Sequence, residues 1–473
     1  METKKIVVVR KKRRDRIKII LFLILVVTGV ALGWYEVVLA AGLLAFVLHE
    51  ILFSDHIFYD PGKDYRYDFS AARRLPIRLR KDGFQLQIEP KDEQLTLLLA
   101  LPVRATLSGY WFDPYLEVRA GNVKYRQYYE RGANGLRYLN LSELVPLVVA
   151  GGGEGVQVDL QSRHCRIAQD VELLAFDHPD YRRWRLLIIA PHADDAELAA
   201  YGLYSQAKDV HIVTLTAGEI EQEPFQHVWS DSIRASRLKG RLRAWDSIAV
   251  PLWGGVSSTQ VVHLGYFCKQ LPAMLDDLER IVPSRTAGLE DVRLFRQYNR
   301  IDLPSDQDSR SCGRNLLRDL EYLVGKIQPQ AIVTPHPQLD PHPDHRAATQ
   351  AVQQVCARLG QQPHWLLYEN HLANTDQHPF GPEHSAVSVP PNFTADTVAP
   401  AVYSLQLDDV RQKDKIYALE MMHDLKSPLS FKKKFRQQLQ RLIGRRSCPY
   451  GENAYYRKTV RRNELFITDK QCD

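Results

Sequence analysis

Residues 186–197 read Leu-Leu-Ile-Ile-Ala-Pro-His-Ala-Asp-Asp-Ala-Glu. The first five form a continuous apolar run, which is typical of a parallel strand buried on both faces. His192, Asp194 and Asp195 follow the run directly. Open α/β sheets bind ligands beyond the carboxyl ends of their strands, so these three side chains are predicted to line a site.

A second polar cluster, Asp-Pro-His-Pro-Asp-His at 340–345, follows another predicted buried strand at 331–334. His192 and Asp195 are three residues apart at a strand-to-helix turn and can aim at one point, and His345 would complete a set of two histidines and one carboxylate. Such a set leaves positions open for water and substrate, so it suits catalytic zinc, or non-haem Fe(II) by the same ligand count.

The remaining polar residues of the two clusters suit proton transfer. Asp194 lies between two predicted ligands, and a carboxylate beside metal-activated water is a natural general base. His342 is the candidate general acid or oxyanion stabiliser, with Asp344 orienting its ring. This inventory predicts a metal-dependent amide hydrolase.

Strands and helices alternate around these clusters, which predicts a Rossmann-like, doubly wound α/β fold with a mostly parallel sheet over residues 185–425. The alternation fails over 256–313, which is interpreted as an insertion beside the site. Residues 60–180 show short runs of period two separated by glycine-rich turns, the pattern of a small all-β, sandwich-like domain. A basic helical segment is expected at 426–473.

The N-terminal region predicts a membrane anchor. A basic arm at 1–18 precedes apolar residues at 19–53, which are interpreted as a transmembrane hairpin of two short helices because about 35 residues are too long for one straight span. A single long span and a signal peptide are the alternatives. Basic residues on both flanks place the catalytic domain in the cytoplasm, at a bacterial-type inner membrane.

The net charge of +6 does not indicate a nucleic-acid partner. The first 18 residues carry nine lysines and arginines against two acidic residues, so the rest of the chain is close to neutral. A near-neutral body argues against binding of nucleic acid.

The two clusters resemble motifs of the PIG-L/LmbE family of zinc-dependent N-acetylglucosaminyl deacetylases. Residues 191–197 match its first motif, roughly P/A-H-P-D-D-x-E, and residues 342–345 match its H-P-D-H motif without a change. Residues 213–219 are similar to the strand ending T-x-G-E. The resemblance covers about residues 185–425. It implies zinc at His192, Asp195 and His345, with Asp194 as base and His342 and Asp344 as the acid and its partner.

Two departures from the family pattern concern the turn and the substrate. Ala193 replaces the usual proline, and Arg237 stands where many members carry the glutamate of R-x-x-E. Substrate contacts are therefore predicted only for Arg234, for Glu219 of the T-x-G-E ending and for His371.

The predicted function is deacetylation of an N-acetylated amino sugar, of the N-acetylglucosamine type, on a glycolipid or lipid-linked glycan at the membrane. One alternative is a glycan-binding or assembly protein whose hydrolase domain is inactive. Another is an amidase that acts on a non-sugar substrate.

Overall fold

The computed structural model describes residues 27–29, 31–52, 57–80, 83–89, 94–152, 154–394, 401–426, 431–442 and 454–469 of the 473-residue chain. The chain divides into two compact units, Met1–Asp55 with Ser430–Arg446, and His56–Leu429 with Ser447–Asp473. The described α-helices are α1 (Tyr35–Leu52), α2 (Val145–Ala150), α3 (Asp195–Tyr204), α4 (Ser232–Trp253), α5 (Leu271–Asp276), α6 (Arg293–Arg296), α7 (Gly313–Ile327), α8 (Pro343–Leu359), α9 (Asp409–Met421), α10 (Phe431–Leu442) and α11 (Ala454–Thr459).

The smaller unit contains α1 and α10, where the rings of Phe46 and Phe435 stack with centroids 6.4 Å apart. The predicted basic arm and most of the first predicted span lie outside the described residues. Within the described ranges, no helix is both long and apolar enough to cross a bilayer. The predicted transmembrane hairpin is therefore wrong, and so is the inner-membrane localisation that depended on it.

The backbone explains why hydropathy misled the prediction. Gly33 adopts a left-handed φ of +75°, which breaks the apolar stretch before α1 begins. The 18 residues of α1 extend about 27 Å, against a hydrocarbon core of about 30 Å, and they include Glu36, His49 and Glu50. A break at Gly33 agrees with the turn of a hairpin, but α1 by itself is short for a span and carries these polar positions.

The larger unit begins with two antiparallel sheets in the region where the sequence predicted a sandwich. Their strands are β1 (Arg73–Leu75), β2 (Gly83–Leu86), β3 (Leu95–Ala105), β4 (Tyr115–Ala120), β5 (Val123–Tyr128), β6 (Asn134–Asn140), β7 (Val156–Arg163), β8 (Cys165–Ile167) and β9 (Glu172–Asp177). One sheet has the order β1-β9-β3-β6 with β8 against β3, and the other has the order β2-β7-β4-β5. Alternate residues of both sheets, such as Leu97, Leu99, Leu116 and Val118, enclose one core.

A seven-stranded sheet follows, in the order β12-β11-β10-β13-β14-β16-β15. Its strands are β10 (Arg185–Ala190), β11 (Asp209–Thr216), β12 (Val261–Tyr266), β13 (Ala331–Pro335), β14 (His364–Tyr368), β15 (Ala401–Gln406) and β16 (Asn463–Thr468). Ile188 and Ile189 of the central strand β10 are fully buried on opposite faces, as its apolar run predicted. Strands β10 and β13 are adjacent and parallel, so the clusters that follow them meet at one edge of the sheet.

A mostly parallel sheet was predicted for residues 185–425, and the described sheets taken together are instead mostly antiparallel, although the seven-stranded sheet has four parallel and two antiparallel pairs. Among the described residues, four strand pairs are parallel, and all four join members of the group β10, β11, β12, β13 and β14. The other nine strand pairs are antiparallel. Strand β12 lies within the predicted insertion at 256–313, and β16 lies within the segment expected to be helical. Both strands are short, and their positions in the sheet depend on neighbours distant in sequence.

A buried ion pair attaches β16 to the helix that carries Asp195. Glu464 accepts hydrogen bonds from the backbone N–H groups of Gly202 and Leu203, at 2.7 and 2.9 Å, and from Lys415 Nζ at 2.8 Å. Both charged side chains are nearly inaccessible to solvent.

We expect Glu464→Gln to lower the free energy of unfolding by about 3 kcal/mol, because it leaves the Lys415 ammonium buried without a counter-charge. The shift in the urea midpoint at constant slope measures the loss. The control is Glu223→Gln at an exposed position. Equal midpoints for the two variants would show that the pair contributes no net stability.

Candidate active site

Three side chains from the two clusters meet at the edge of the central sheet. Asp195 Oδ2 lies 3.2 Å from His192 Nδ1 and 3.2 Å from His345 Nε2, and the two histidine nitrogens are 3.3 Å apart. Ligand atoms about 2.0–2.1 Å from a tetrahedral zinc ion are separated by about 3.3 Å. The triangle therefore has the dimensions of one face of a metal coordination shell.

The electrostatics of this triangle favour a cation. Burial lowers the pKa of His345, but the carboxylates of Asp195 and Asp340 outweigh that effect and raise the pKa to about 9. Burial raises the pKa of Asp195, and the two histidines hold the pKa well below its usual range. In a chain without metal a proton occupies the position that a divalent cation would take.

Asp340 forms an outer layer behind the triangle, and the sequence analysis assigned it no role. Its Oδ2 lies 2.8 Å from His345 Nδ1 and accepts from the backbone N–H of Asn370 and His371 at 3.2 and 3.3 Å. This contact makes Nδ1 of His345 the protonated nitrogen and leaves Nε2 with a lone pair for a metal. Asn370 Nδ2 also donates to Asp195 Oδ1 at 2.8 Å.

Asp344 lies at the site but pairs with a different histidine from the one expected. Its Oδ2 is 3.3 Å from His192 Nε2, and its carboxylate accepts from the backbone N–H groups of Lys269 and Leu271. The expected Asp344–His342 pair is not formed, because the loop after β12 holds the carboxylate towards His192. Asp344 thus keeps His192 Nδ1 free for the triangle.

His342 and His371 form the rim of the cluster. Their rings stack with centroids 5.5 Å apart, and His342 lies 4.9 Å from the ring of His192. Neither ring nitrogen of His342 has a hydrogen-bond partner among the described residues. Burial and the charges of His192 and His345 lower the pKa of His342 to about 4.

Other sets of ligand atoms surround the triangle. His192, His342 and His345 lie within 4.8 Å of one another, as do His192, Cys268 and Asp344. Cys268 follows β12, at the same edge of the sheet, and is buried. His192 belongs to both sets, which makes it the centre of the cluster.

Asp194 directly precedes α3, beside the predicted ligands, and contacts a buried arginine. Arg243 Nη2 donates to Asp194 Oδ1 at 3.0 Å, and the other terminal nitrogen of Arg243 contacts Asp424. Arg243 therefore holds the Asp194 carboxylate at the cluster. The sequence analysis noted an arginine-rich helix here, but that pattern alone did not single out position 243.

Two of the three residues predicted to contact substrate do not reach the cluster. Arg234 is exposed, with its guanidinium 5.3 Å from the centre of the Trp229 ring. Glu219 is fully buried, and its carboxylate accepts from Cys268 N at 3.1 Å and Ser284 Oγ at 2.7 Å. Glu219 thus supports the loop of Cys268, whereas His371 does reach the cluster.

We expect Asp340→Asn to weaken metal affinity by about 10- to 100-fold, because the ring of His345 loses its charged acceptor. Competition with a chelator of known affinity measures the change, and the urea midpoint checks folding. Asp302→Asn, at an exposed position, is the matched control. Unchanged affinity in a folded Asp340→Asn chain would exclude this supporting role.

Comparison with solved structures returns low similarity. An N,N'-diacetylchitobiose deacetylase from Pyrococcus horikoshii is 17% identical with a TM-score of 0.31, covering 60% of this chain and 83% of its own. The teicoplanin deacetylase Orf2 is 16% identical with a TM-score of 0.30, covering 61% and 99%. A 4-carboxy-2-hydroxymuconate hydratase from Pseudomonas putida KT2440 is 16% identical with a TM-score of 0.32, covering 61% and 98%. At these values the likenesses carry no functional argument.

The family comparison is more specific. No curated protein matches the sequence. The family model described as PIG-L, GlcNAc-PI de-N-acetylase, matches residues 187–356, a range that contains both polar clusters and β10 to β13. It covers part of the predicted 185–425 domain and confirms the resemblance inferred from the motifs. Residues 187–356 of this chain therefore match the PIG-L family of de-N-acetylases.

Proposed function

We propose that this chain is a metal-dependent deacetylase that removes the acetyl group from an N-acetylated amino sugar. The observation that carries the proposal is the triangle of His192, Asp195 and His345 inside the segment that matches the family model. Its dimensions and negative surroundings suit a divalent cation, zinc in the first place and Fe(II) by the same ligand count. Such a cation, when bound, supplies Lewis-acid activation of water and of the amide carbonyl.

The chain's own residues supply the proton transfers. Asp194 accepts a proton from the attacking water, in an orientation held by Arg243. Because its lowered pKa keeps the ring of His342 neutral, the proton that Asp194 has accepted passes to the amine nitrogen as the C–N bond breaks, and the products are acetate and the free amine. His342 donates an N–H hydrogen bond to the developing oxyanion. Asp344 is a positioning residue for His192, in place of the partnership with His342 that the resemblance implies.

The test measures acetate and free amine released by the zinc-loaded full-length chain. The substrates are N-acetylglucosamine glycosides with and without a lipid group, and N-acetyl amino acids as non-sugar amides. We expect equal amounts of acetate and amine from the amino sugars and a kcat/KM at least tenfold lower for the amino acids. The reverse preference would favour the non-sugar amidase, and release from neither class would contradict the proposal.

A matched pair of variants separates the enzyme from an inactive glycan-binding protein. Trp111, in the antiparallel-sheet region, is 51% exposed and is available to stack on a sugar. The enzyme proposal predicts that His345→Ala abolishes acetate release and that Trp111→Ala does not. An inactive binding protein would show glycan binding that Trp111→Ala removes and His345→Ala leaves intact.

A further inference from the structure

A cavity of about 150 Å³ lies beside the metal triangle, in the larger unit. Asn370 and His371, which contact the cluster, also line the cavity. Leu198 and Ala199 of α3 belong to the wall and lie inside the segment that matches the family. The other lining residues, which include the loop at 375–379, α11 and β16, follow that segment in the chain, so most of the wall comes from the C-terminal part.

Three polar side chains of the lining make no hydrogen bond to another residue of the described ranges. Lys458 is half-buried and makes no hydrogen bond or ion pair within those ranges. The side chain of His378 is 8% exposed, and neither of its ring nitrogens has a partner. Glu369 is 12% exposed, and its Oε1 lies 3.8 Å from His378 Nε2, beyond hydrogen-bond distance.

The other two cationic side chains of the lining already have hydrogen-bond acceptors. Lys415 pairs with Glu464 at 2.8 Å, and Arg461 donates to the carbonyl oxygens of Pro379, Phe380, Gly381 and Pro382. Asp376 at the mouth is exposed, and its carboxylate accepts from Gln377 Nε2 at 3.0 Å. Lys458 is thus the lining cation without an acceptor in the described part of the chain. The charge of Asp376 acts on Lys458 without a hydrogen bond between them, so an anion in the cavity would give the partly buried ammonium a direct acceptor.

The protonation of the three groups agrees with an anionic ligand. Burial and then Arg457 lower the pKa of Lys458 to about 8, so it remains mostly charged at neutral pH. Burial and then Asp340 raise the pKa of Glu369 to about 8, so that this carboxyl group is mostly neutral and can donate a hydrogen bond. Burial and nearby cations lower the pKa of His378 to about 3, which leaves the ring neutral.

The cavity is partly open to solvent, and its inner space suits a ligand smaller than a whole sugar. A space of about 150 Å³ accommodates about six non-hydrogen atoms, the size of benzene. A hexose has about twice that number. Leu198, Leu372 and Val387 provide apolar wall beside the polar groups. The lining therefore suits a short carboxylate with a polar end and an alkyl end.

We propose that this cavity binds a short-chain monocarboxylate, with its charged end on Lys458 and Glu369 and its alkyl end on the apolar wall. Acetate is the expected natural occupant, and that part rests on the proposed function, because deacetylation would release acetate next to Asn370 and His371. The cavity then retains the acyl product while the amine leaves.

Isothermal titration of the zinc-loaded full-length chain with sodium acetate, propionate and butyrate at constant ionic strength tests the proposal. Inorganic phosphate and gluconate are the comparison anions. We expect saturable binding of one short carboxylate per chain and at least tenfold weaker binding in Lys458→Met and Lys458→Gln. Lys413→Met changes an exposed lysine on α9 and should leave the affinity unchanged.

The variant His345→Ala tests whether acetate binds to zinc instead of in the cavity. It removes a predicted metal ligand, and we expect it to retain acetate binding. The proposal is overturned if folded Lys458 variants bind acetate like the unaltered chain, if His345→Ala loses acetate binding, or if phosphate binds more tightly than acetate. Acetate binding by a chain that deacetylates nothing would keep the cavity site and reject the proposed function. Deacetylation without Lys458-dependent acetate binding would support the proposed function and reject the cavity site.

Discussion

His345→Ala should remove metal binding and deacetylation together. His345 Nε2 forms one corner of the triangle with His192 and Asp195, and its side chain is fully buried. Alanine leaves two ligands, which are insufficient to hold a cation against water. Loss of several kcal/mol of Lewis-acid stabilisation lowers kcat/KM by about 10³-fold or more.

The measurement pairs metal content by elemental analysis with kcat/KM for the amino-sugar substrate. His227→Ala is the matched control, because His227 is exposed. We expect less than a tenth of the control's bound metal in His345→Ala, with a urea midpoint that shows a folded chain. Full metal content with full activity in His345→Ala would place the centre elsewhere.

Asp194→Asn should lower kcat by about 10²- to 10⁴-fold, the usual contribution of a general base. Asparagine has nearly the same shape and retains an oxygen for Arg243 Nη2, which lies 3.0 Å from Asp194 Oδ1. The amide does not accept a proton at neutral pH. We therefore expect the metal content and the fold to be preserved while proton removal from water is lost.

Two readouts separate a base from a structural residue. A base predicts a fall in kcat with little change in KM, whereas misplacement of Arg243 would change metal content or stability. Asp302→Asn serves again as the control at an exposed aspartate. Retention of more than a tenth of kcat in Asp194→Asn would reject this residue as the base.

The wrong prediction of a transmembrane hairpin shows what a hydropathy pattern does not report. Hydropathy over 19–53 reports how apolar the residues are, but a membrane span also needs one continuous helix of sufficient length. The short length of α1 and its polar positions act on that second requirement. The same limit applies to β16, because six residues do not reveal which distant strands they will pair with.

The supporting residues of the site were also out of reach of the sequence. Asp340 stood within a recognised cluster, but its contact with His345 depends on the turn after β13. Arg243 and Asn370 approach Asp194 and Asp195 from segments 49 and 175 residues away. The spacing of residues along the chain does not indicate contacts between segments so far apart.

The sequence by itself determined the buried strand β10, the two polar clusters and their resemblance to the PIG-L family, because each depends on residues close together in the chain. Only the tertiary structure decided that Asp344 faces His192, that antiparallel strands extend the central sheet and that Lys458 has no hydrogen-bond acceptor within the described ranges. The first depends on the loop after β12, and the other two depend on segments that are distant in the sequence. Their geometry depends on the packing of the whole unit, which no local pattern encodes.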